Sequence, residues 1–143
     1  ERAQIYMNND QARNAMLDYD AYYKAVNGQV NDLFYYYREQ AALKARQYQR
    51  ALDDIVKAVE LSPKDLTYRA EHAVVNLRVG RYEESMKILN EILKDEPKYG
   101  EAYRLLGLCQ IQLKKTDEAC GNFNKAKELG DPNVDELIKK YCK

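Results

Sequence analysis

A chain of 143 residues, 45% of them hydrophobic and with only 6 Gly and 3 Pro, has the composition of one folded domain, which excludes disordered and collagen-like classes. Its 23 Lys and Arg balance 23 Asp and Glu, so no net field steers it toward nucleic acid or an anionic membrane. No apolar run approaches the roughly 18 residues that cross a bilayer and no signal-peptide pattern is present, so no membrane insertion is expected within this segment.

The chain opens at Glu1 rather than Met, which reads as a piece of something longer. Residues 1–8 read as the end of a helix, with Ala3 and Tyr6 placed as in a repeat. A helix from about Gln11 to Val26 follows, its predicted face carried by Ala15, Tyr19, Tyr22 and Val26, spaced as one side of a helix. Asn27-Gly28 tolerates the positive φ of a helix-terminating turn. Beyond it the pattern predicts helix pairs at about 32–61, 65–94 and 99–129 and a closing helix at 132–142. In the first pair Tyr48, Ala51, Leu52, Ile55, Ala58 and Val59 form an apolar stripe, and Pro63 stops that helix because proline lacks the amide proton and restricts its predecessor. In the second, Gly80 marks the turn and Tyr82, Ser85, Met86, Leu89, Ile92 and Leu93 repeat the stripe. The third carries Tyr103, Leu106, Gly107 and Ile111, then Ala119, Phe123 and Ala126. Asp131 is placed to cap a last helix starting at Pro132, with Val134, Leu137, Ile138 and Tyr141 turned inward and Glu136, Lys139, Lys140 and Lys143 outward.

One offset of 34 residues runs through these segments: it pairs Ala51 with Ser85 and Ala119, Ile55 with Leu89 and Phe123, and Pro63 with Pro97. An offset of 36 joins Ala15 to Ala51 and Tyr19 to Ile55, the same period with two residues inserted. Such a period marks stacked supersecondary units, none able to bury its apolar face without a neighbour. The expected organisation is a single domain over residues 1–143, made of a partial repeat (1–31), three repeats (32–65, 66–99, 100–131) and a capping helix (132–143). Ile55, Leu89 and Phe123 are expected to be equally buried. Glu39 falls in the small slot of Ala73 and Gly107, and a local helix shift is expected to bring it to solvent or against Arg38 or another basic residue.

The recurring residues resemble the tetratricopeptide repeat, a helix-turn-helix with the pattern W-x2-L-G-x2-Y, then A-x3-F, then P. The third unit is the most similar: Tyr103 stands in the Trp slot, Leu106-Gly107 match Leu-Gly, Ala119 and Phe123 match A-x3-F, and Gln110 departs from the usual Tyr. Tyr35, Ala51, Ile55, Ala58 and Pro63 match in the first unit, and Ala73, Gly80, Tyr82, Leu89 and Pro97 in the second. The resemblance implies an all-α fold, a right-handed α-α superhelix of stacked hairpins. It further implies a non-catalytic protein-protein interaction scaffold that takes a peptide or partner surface in a concave groove; the alternative is a structural spacer or oligomerisation segment. By resemblance the groove is lined by the first helix of each pair, placing Leu33, Tyr36, Tyr37, Gln40 and Lys44 there, with Thr67, Ala70, Glu71, Val74 and Arg78, and then Glu101, Arg104, Leu105, Leu108 and Gln112. The family members that grip a peptide's terminal carboxylate need Lys, Arg and Asn at sites that here hold Tyr36, Gln40, Glu71, Glu101 and Leu105, so an extended segment with apolar side chains and few charges suits this groove better.

Chemistry-bearing patterns are sparse. His72 is the only His, which rules out two-imidazole sites within the chain, and neither a Walker-type loop nor a G-x-G-x-x-G run occurs. No catalytic residue, metal or cofactor is expected. Cys109, Cys120 and Cys142 show no C-x-x-C spacing and are expected to be free thiols, which leans toward a cytoplasmic setting. Asp53-Asp54, Glu83-Glu84 and Lys114-Lys115 are expected to be solvated. Of Tyr35, Tyr36 and Tyr37 at least one ring is expected to be exposed, since neighbouring helical residues diverge by about 100°. A pentatricopeptide RNA reader is disfavoured by the 34-residue spacing and zero net charge.

Overall fold

The structure, a computed structural model, describes residues 9–143, and the expected helix end at residues 1–8 lies outside the described residues. Every regular element among the described residues is a helix: α1 (Asn9–Ala25), α2 (Asp32–Lys44), α3 (Tyr48–Leu61), α4 (Leu66–Arg78), α5 (Tyr82–Asp95), α6 (Gly100–Gln112), α7 (Thr116–Glu128) and α8 (Asp135–Tyr141). The chain divides into two compact units, Glu1–Tyr68 and Arg69–Lys143, with the division inside α4.

In the first unit α1 packs on α2 and α2 on α3. Ala12 and Met16 are the buried residues of α1, and Tyr22 is 56% exposed. Of the expected face, Ala15 and Tyr19 are only half-buried, so the buried side of α1 is rotated toward Ala12 and Met16, and the rings of Tyr19, Tyr22 and Tyr23 lie 5.6, 5.9 and 6.0 Å from that of Phe34. Tyr35, Ala42, Ala51, Leu52, Ile55 and Ala58 complete this core. Asn31 caps α2 by accepting a hydrogen bond from the Phe34 amide at 3.0 Å, satisfying one of the orphan donors of a helix start.

In the second unit α5 packs on α6, α6 on α7 and α7 on α8. Leu89 and Phe123 are fully buried here, as Ile55 is in the first unit, so the bulky slot at 34-residue spacing is buried three times. The small slot at Ser85 is buried too, and its Oγ donates to the Ala73 carbonyl at 2.7 Å, giving the hydroxyl the partner that burial demands. A Cβ added at Gly107 would come within 2.4 Å of the Phe123 ring, which is why that slot holds no side chain. Gln110, the departure from the repeat pattern, is buried and accepts from Asn122 Nδ2 at 2.6 Å.

Each hairpin turn repeats one cap. Arg46, Gly80 and Lys114, spaced at the repeat interval, all take positive φ, at 61°, 85° and 63°. The amides of Gln47, Arg81 and Lys115 then reach back to the carbonyls of Ala42, Asn76 and Gln110 at 2.8 Å each, a Schellman closure. Only Gly takes this conformation without a Cβ penalty. Lys114→Gly is therefore expected to raise the unfolding free energy by about 0.5–1 kcal/mol, net of the chain entropy glycine adds to the unfolded state; a urea titration with an unchanged or lower midpoint would contradict it.

Four expectations are corrected. The closing helix begins at Asp135 and not at Pro132: Asp131 Oδ1 accepts from the Asn133 amide at 2.7 Å, and this tight turn precedes Val134, which is fully buried. Cys120 and Cys142 form a disulfide, with Cα atoms 5.7 Å apart across a sequence separation of 22, and only Cys109 is a free, buried thiol. The return of α8 along α7 makes the pairing, so short Cys spacing was the wrong signal, and the thiol-based lean toward the cytoplasm loses its premise. Glu39 is fully buried, so its carboxylate does not reach solvent, and Arg38 engages other acids. Asp54 is 4% exposed and not solvated, because α3 turns it inward while Asp53 stays out.

Candidate functional site

The expected binding residues lie on the first helices of the pairs. On α2, Tyr36, Gln40 and Lys44 follow one another at one-turn spacing with Tyr37 alongside, and all four are half-buried. None of the rings of Tyr35, Tyr36 and Tyr37 is fully exposed; Tyr35 is buried and the other two are half covered. The Tyr36 ring lies 5.6 Å from that of Tyr37 and 5.3 Å from that of Tyr68, so it packs forward onto the start of α4. Tyr68 is held in turn: its hydroxyl donates to Asp32 Oδ2 at 3.0 Å, beside Ser62 Oγ at 2.8 Å. These hydrogen bonds, Ser62 first, hold the Asp32 carboxyl below the usual carboxylate range against the effect of burial. Burial, and then Asp32, pushes the Tyr68 hydroxyl well up, so that hydroxyl stays a donor.

On α4, Glu71 and Val74 are half-buried and Arg78 is exposed. On α6, Arg104 and Leu108 are half-buried and Gln112 is exposed. Arg104 is committed: its Nε donates to both Asp131 carboxylate oxygens at 3.2 and 3.1 Å, and Asp131 is almost wholly covered. Leu108 packs against the cluster of Ala119, Phe123, Ala126 and Val134. Ala70 and Leu105, expected to line the groove, are buried at 2% and 3%, because the broad apolar faces of α4 and α6 extend to these positions. Leu33 is exposed.

Sequence reasoning missed one polar constellation altogether. Arg38 Nε and Nη2 donate to the two oxygens of Asp54 at 2.9 and 2.8 Å, and Nη1 reaches Asp20 at 3.3 Å. Asp20 also receives Arg50. The guanidinium lies 4.8 and 5.1 Å from the ring centroids of Tyr23 and Phe34, a cation-π setting. Burial, outweighing the pull of Arg38, pushes the Asp54 carboxyl above its ordinary value, and the bidentate contact partly offsets that cost. The pair lines an open cleft of about 480 Å³ together with Tyr23, Tyr35, Leu52 and Val56 and the charged Asp53, Lys57 and Glu60. The sequence signal was Arg38 four residues from Phe34 on one helix face, next to the aromatic run.

His72 is half-buried, and burial holds its imidazole below the ordinary 6.5, with Glu84 pulling the other way. Among the described residues, no group of three or more His, Cys, Asp or Glu could hold a metal ion, and no helix is long and apolar enough to cross a membrane.

Comparison with known families gives two matches: residues 71–134 fit the model described as tetratricopeptide repeat, and residues 8–92, more than half of the chain, fit that of anaphase-promoting complex, cyclosome, subunit 3. The chain belongs to the tetratricopeptide-repeat family. Among curated relatives, small glutamine-rich tetratricopeptide repeat-containing protein 2 of Mycosarcoma maydis is 29% identical over 99 residues, which is 69% of this chain and 28% of the relative. The chain spans less than a third of the length of the first curated relatives it matches. Solved structures share the fold as well, two of them described with a peptide site or a bound peptide. YrrB, described as a tetratricopeptide protein with an unusual peptide-binding site, superposes with a TM-score of 0.76 at 20% identity, covering 92% of this chain and 67% of its own. The first tetratricopeptide domain of Spaghetti, bound to the HSP90 peptide SRMEEVD, gives 0.67 at 19% identity over 78% of this chain and 90% of its own. The fold class of this tetratricopeptide array is thus an all-α helical-repeat superhelix.

Proposed function

We propose that this tetratricopeptide array is a non-catalytic scaffold that holds an extended peptide or a partner's surface along the first helices of its hairpins. Tyr36, Tyr37, Gln40 and Lys44 serve in the first unit, and Glu71, Val74, Arg78, Arg104, Leu108 and Gln112 in the second. The observation that carries the reading is the surface of α2: a helix whose Tyr35, Ala41, Ala42 and Leu43 are buried still presents a half-covered Tyr pair followed by an amide and an ammonium at one-turn spacing. Tyrosine offers large contact area for little lost rotamer entropy, which suits a binding hot spot. Relatives support the reading, since two of the solved structures are described with a peptide site or a bound peptide. Tyr36, Gln40, Glu71, Glu101 and Leu105, at the sites where a terminal-carboxylate clamp needs Lys, Arg and Asn, favour a segment with apolar side chains and few charges. The match to a subunit of the anaphase-promoting complex favours a second reading, in which the array is an assembly segment of a larger complex.

A library of extended peptides, sorted for affinity to the chain and then titrated by fluorescence anisotropy, tests the proposal. Tyr36→Ala and Arg78→Ala are expected to weaken the selected peptides by about tenfold, the effect of losing about 1.4 kcal/mol of contact, while Asp53→Ala and Glu84→Ala on exposed positions leave affinity unchanged. Arg78 is chosen over Arg104 because removing Arg104 also breaks its pair with Asp131. Loss of binding only with the Asp53 and Glu84 variants would overturn the assignment of this surface.

A further inference from the structure

The terminal helix α8 has seven residues, too few to hold itself together in water. What keeps it folded is its contact with the rest of the second unit. Val134 is fully buried, Leu137, Ile138 and Tyr141 pack on the cluster of Ala119, Phe123 and Ala126, and the Tyr141 ring stacks on that of Phe123 at 6.4 Å. Beyond this the helix is tied at its far end: Cys142, the residue that closes α8, is bonded to Cys120 on α7.

We propose that the Cys120–Cys142 bond is a thiol-labile latch, and that its reduction frees α8 locally and uncovers the Phe123 face of α7 while the helical hairpins stay folded. Three observations support it. Both sulfur-bearing residues are partly exposed, so a small thiol can reach the bond. α8 follows the last hairpin (α6–α7) and the turn at residues 129–134 and belongs to no hairpin itself, so its release removes no hairpin helix. The third cysteine cannot compete, because Cys109 is fully buried and its thiol is pushed up by that burial, leaving no internal thiolate to exchange with the bond.

The reaction balances with a low-molecular-weight thiol as reductant. Its thiolate attacks one sulfur of the bond, forms a mixed disulfide and expels the other cysteine as a thiolate, which takes up a proton. A second thiolate attacks the external sulfur of the mixed disulfide and expels the first cysteine, which is protonated in turn. Two electrons pass to the protein sulfurs, and two thiols leave joined as their own disulfide.

Hydrogen exchange read by mass spectrometry on the whole chain, oxidised and then treated with reduced glutathione, tests the latch, with alkylation of the released thiols confirming reduction. On reduction the amides of residues 135–142 are expected to lose protection about a hundredfold, the scale set by opening a covalent loop of this length. The amides of α6 and the first two turns of α7 keep theirs. A Cys120→Ser/Cys142→Ser variant is expected to show the same pattern with no reductant. Unchanged protection of α8 after confirmed reduction would overturn the proposal. So would loss of protection throughout the second unit, which would make the bond a staple for that unit as a whole. Three alkylatable thiols in unfolded protein prepared under air would overturn it as well, since no latch would then exist.

Discussion

Phe123→Ala is expected to lower the unfolding free energy by about 3–5 kcal/mol, the range for an aromatic truncated in a core that only partly collapses. The site has little freedom to close. The ring is fully buried, it fills the space left by the missing side chain of Gly107, and it carries the stacked Tyr141 ring on its other side. Ala119 and Ala126 flank it on the same helix face and cannot extend into the void. Ile55→Ala and Leu89→Ala, at the same slot in the other repeats and equally buried, are expected to cost about 2–5 kcal/mol each. Urea titrations followed by circular dichroism provide the check. Midpoints unmoved by all three substitutions would mean that the repeat register placing these residues in one slot is wrong.

The second large effect is electrostatic. Arg38→Leu is expected to cost about 3–5 kcal/mol, because it strands the Asp54 carboxylate in a site where only 6% of that side chain meets solvent and an uncompensated buried charge is expensive. Asp20 suffers less, since it is 38% exposed and keeps Arg50. The double variant Arg38→Leu/Asp54→Leu is expected to recover most of the loss, since a buried pair replaced by apolar groups of similar volume is often near neutral. A double-mutant cycle separates the two contributions. If the single substitutions add without coupling, the bidentate contact is not what holds these charges.

These two effects also separate what was legible in the sequence from what was not. The 34-residue spacing that pairs Ile55, Leu89 and Phe123 rests on periodic burial, and burial at one helical face is a local property that any window of the chain displays. The same holds for the hairpin turns, although Arg46 and Lys114 hid two of the three left-handed caps behind side chains that do not announce them. The α2 residues Tyr36, Tyr37, Gln40 and Lys44 were assigned by resemblance and not by spacing, as were Ala70 and Leu105, which are buried.

What escaped the sequence depends on pairs distant in the chain. Arg38 meets Asp54 across 16 residues and Asp20 across 18, and Cys120 meets Cys142 across 22; no local pattern encodes such distances, because they are set by how one helix returns along another. Asp54 read as a solvated charge because its neighbour Asp53 is one, yet adjacent helical residues point about 100° apart and only packing decides which of the two is covered. Glu39, in a slot otherwise held by Ala73 and Gly107, shows the same limit: its position on the buried face was readable, but its full burial is a property of the folded unit. The sequence by itself determined the helices, their period and the apolar slots, which follow from local propensity and amphipathic spacing. Tertiary structure alone decided the ion pairs, the disulfide and which polar side chains lie inside, because desolvation and pair geometry exist only once the helices are in contact.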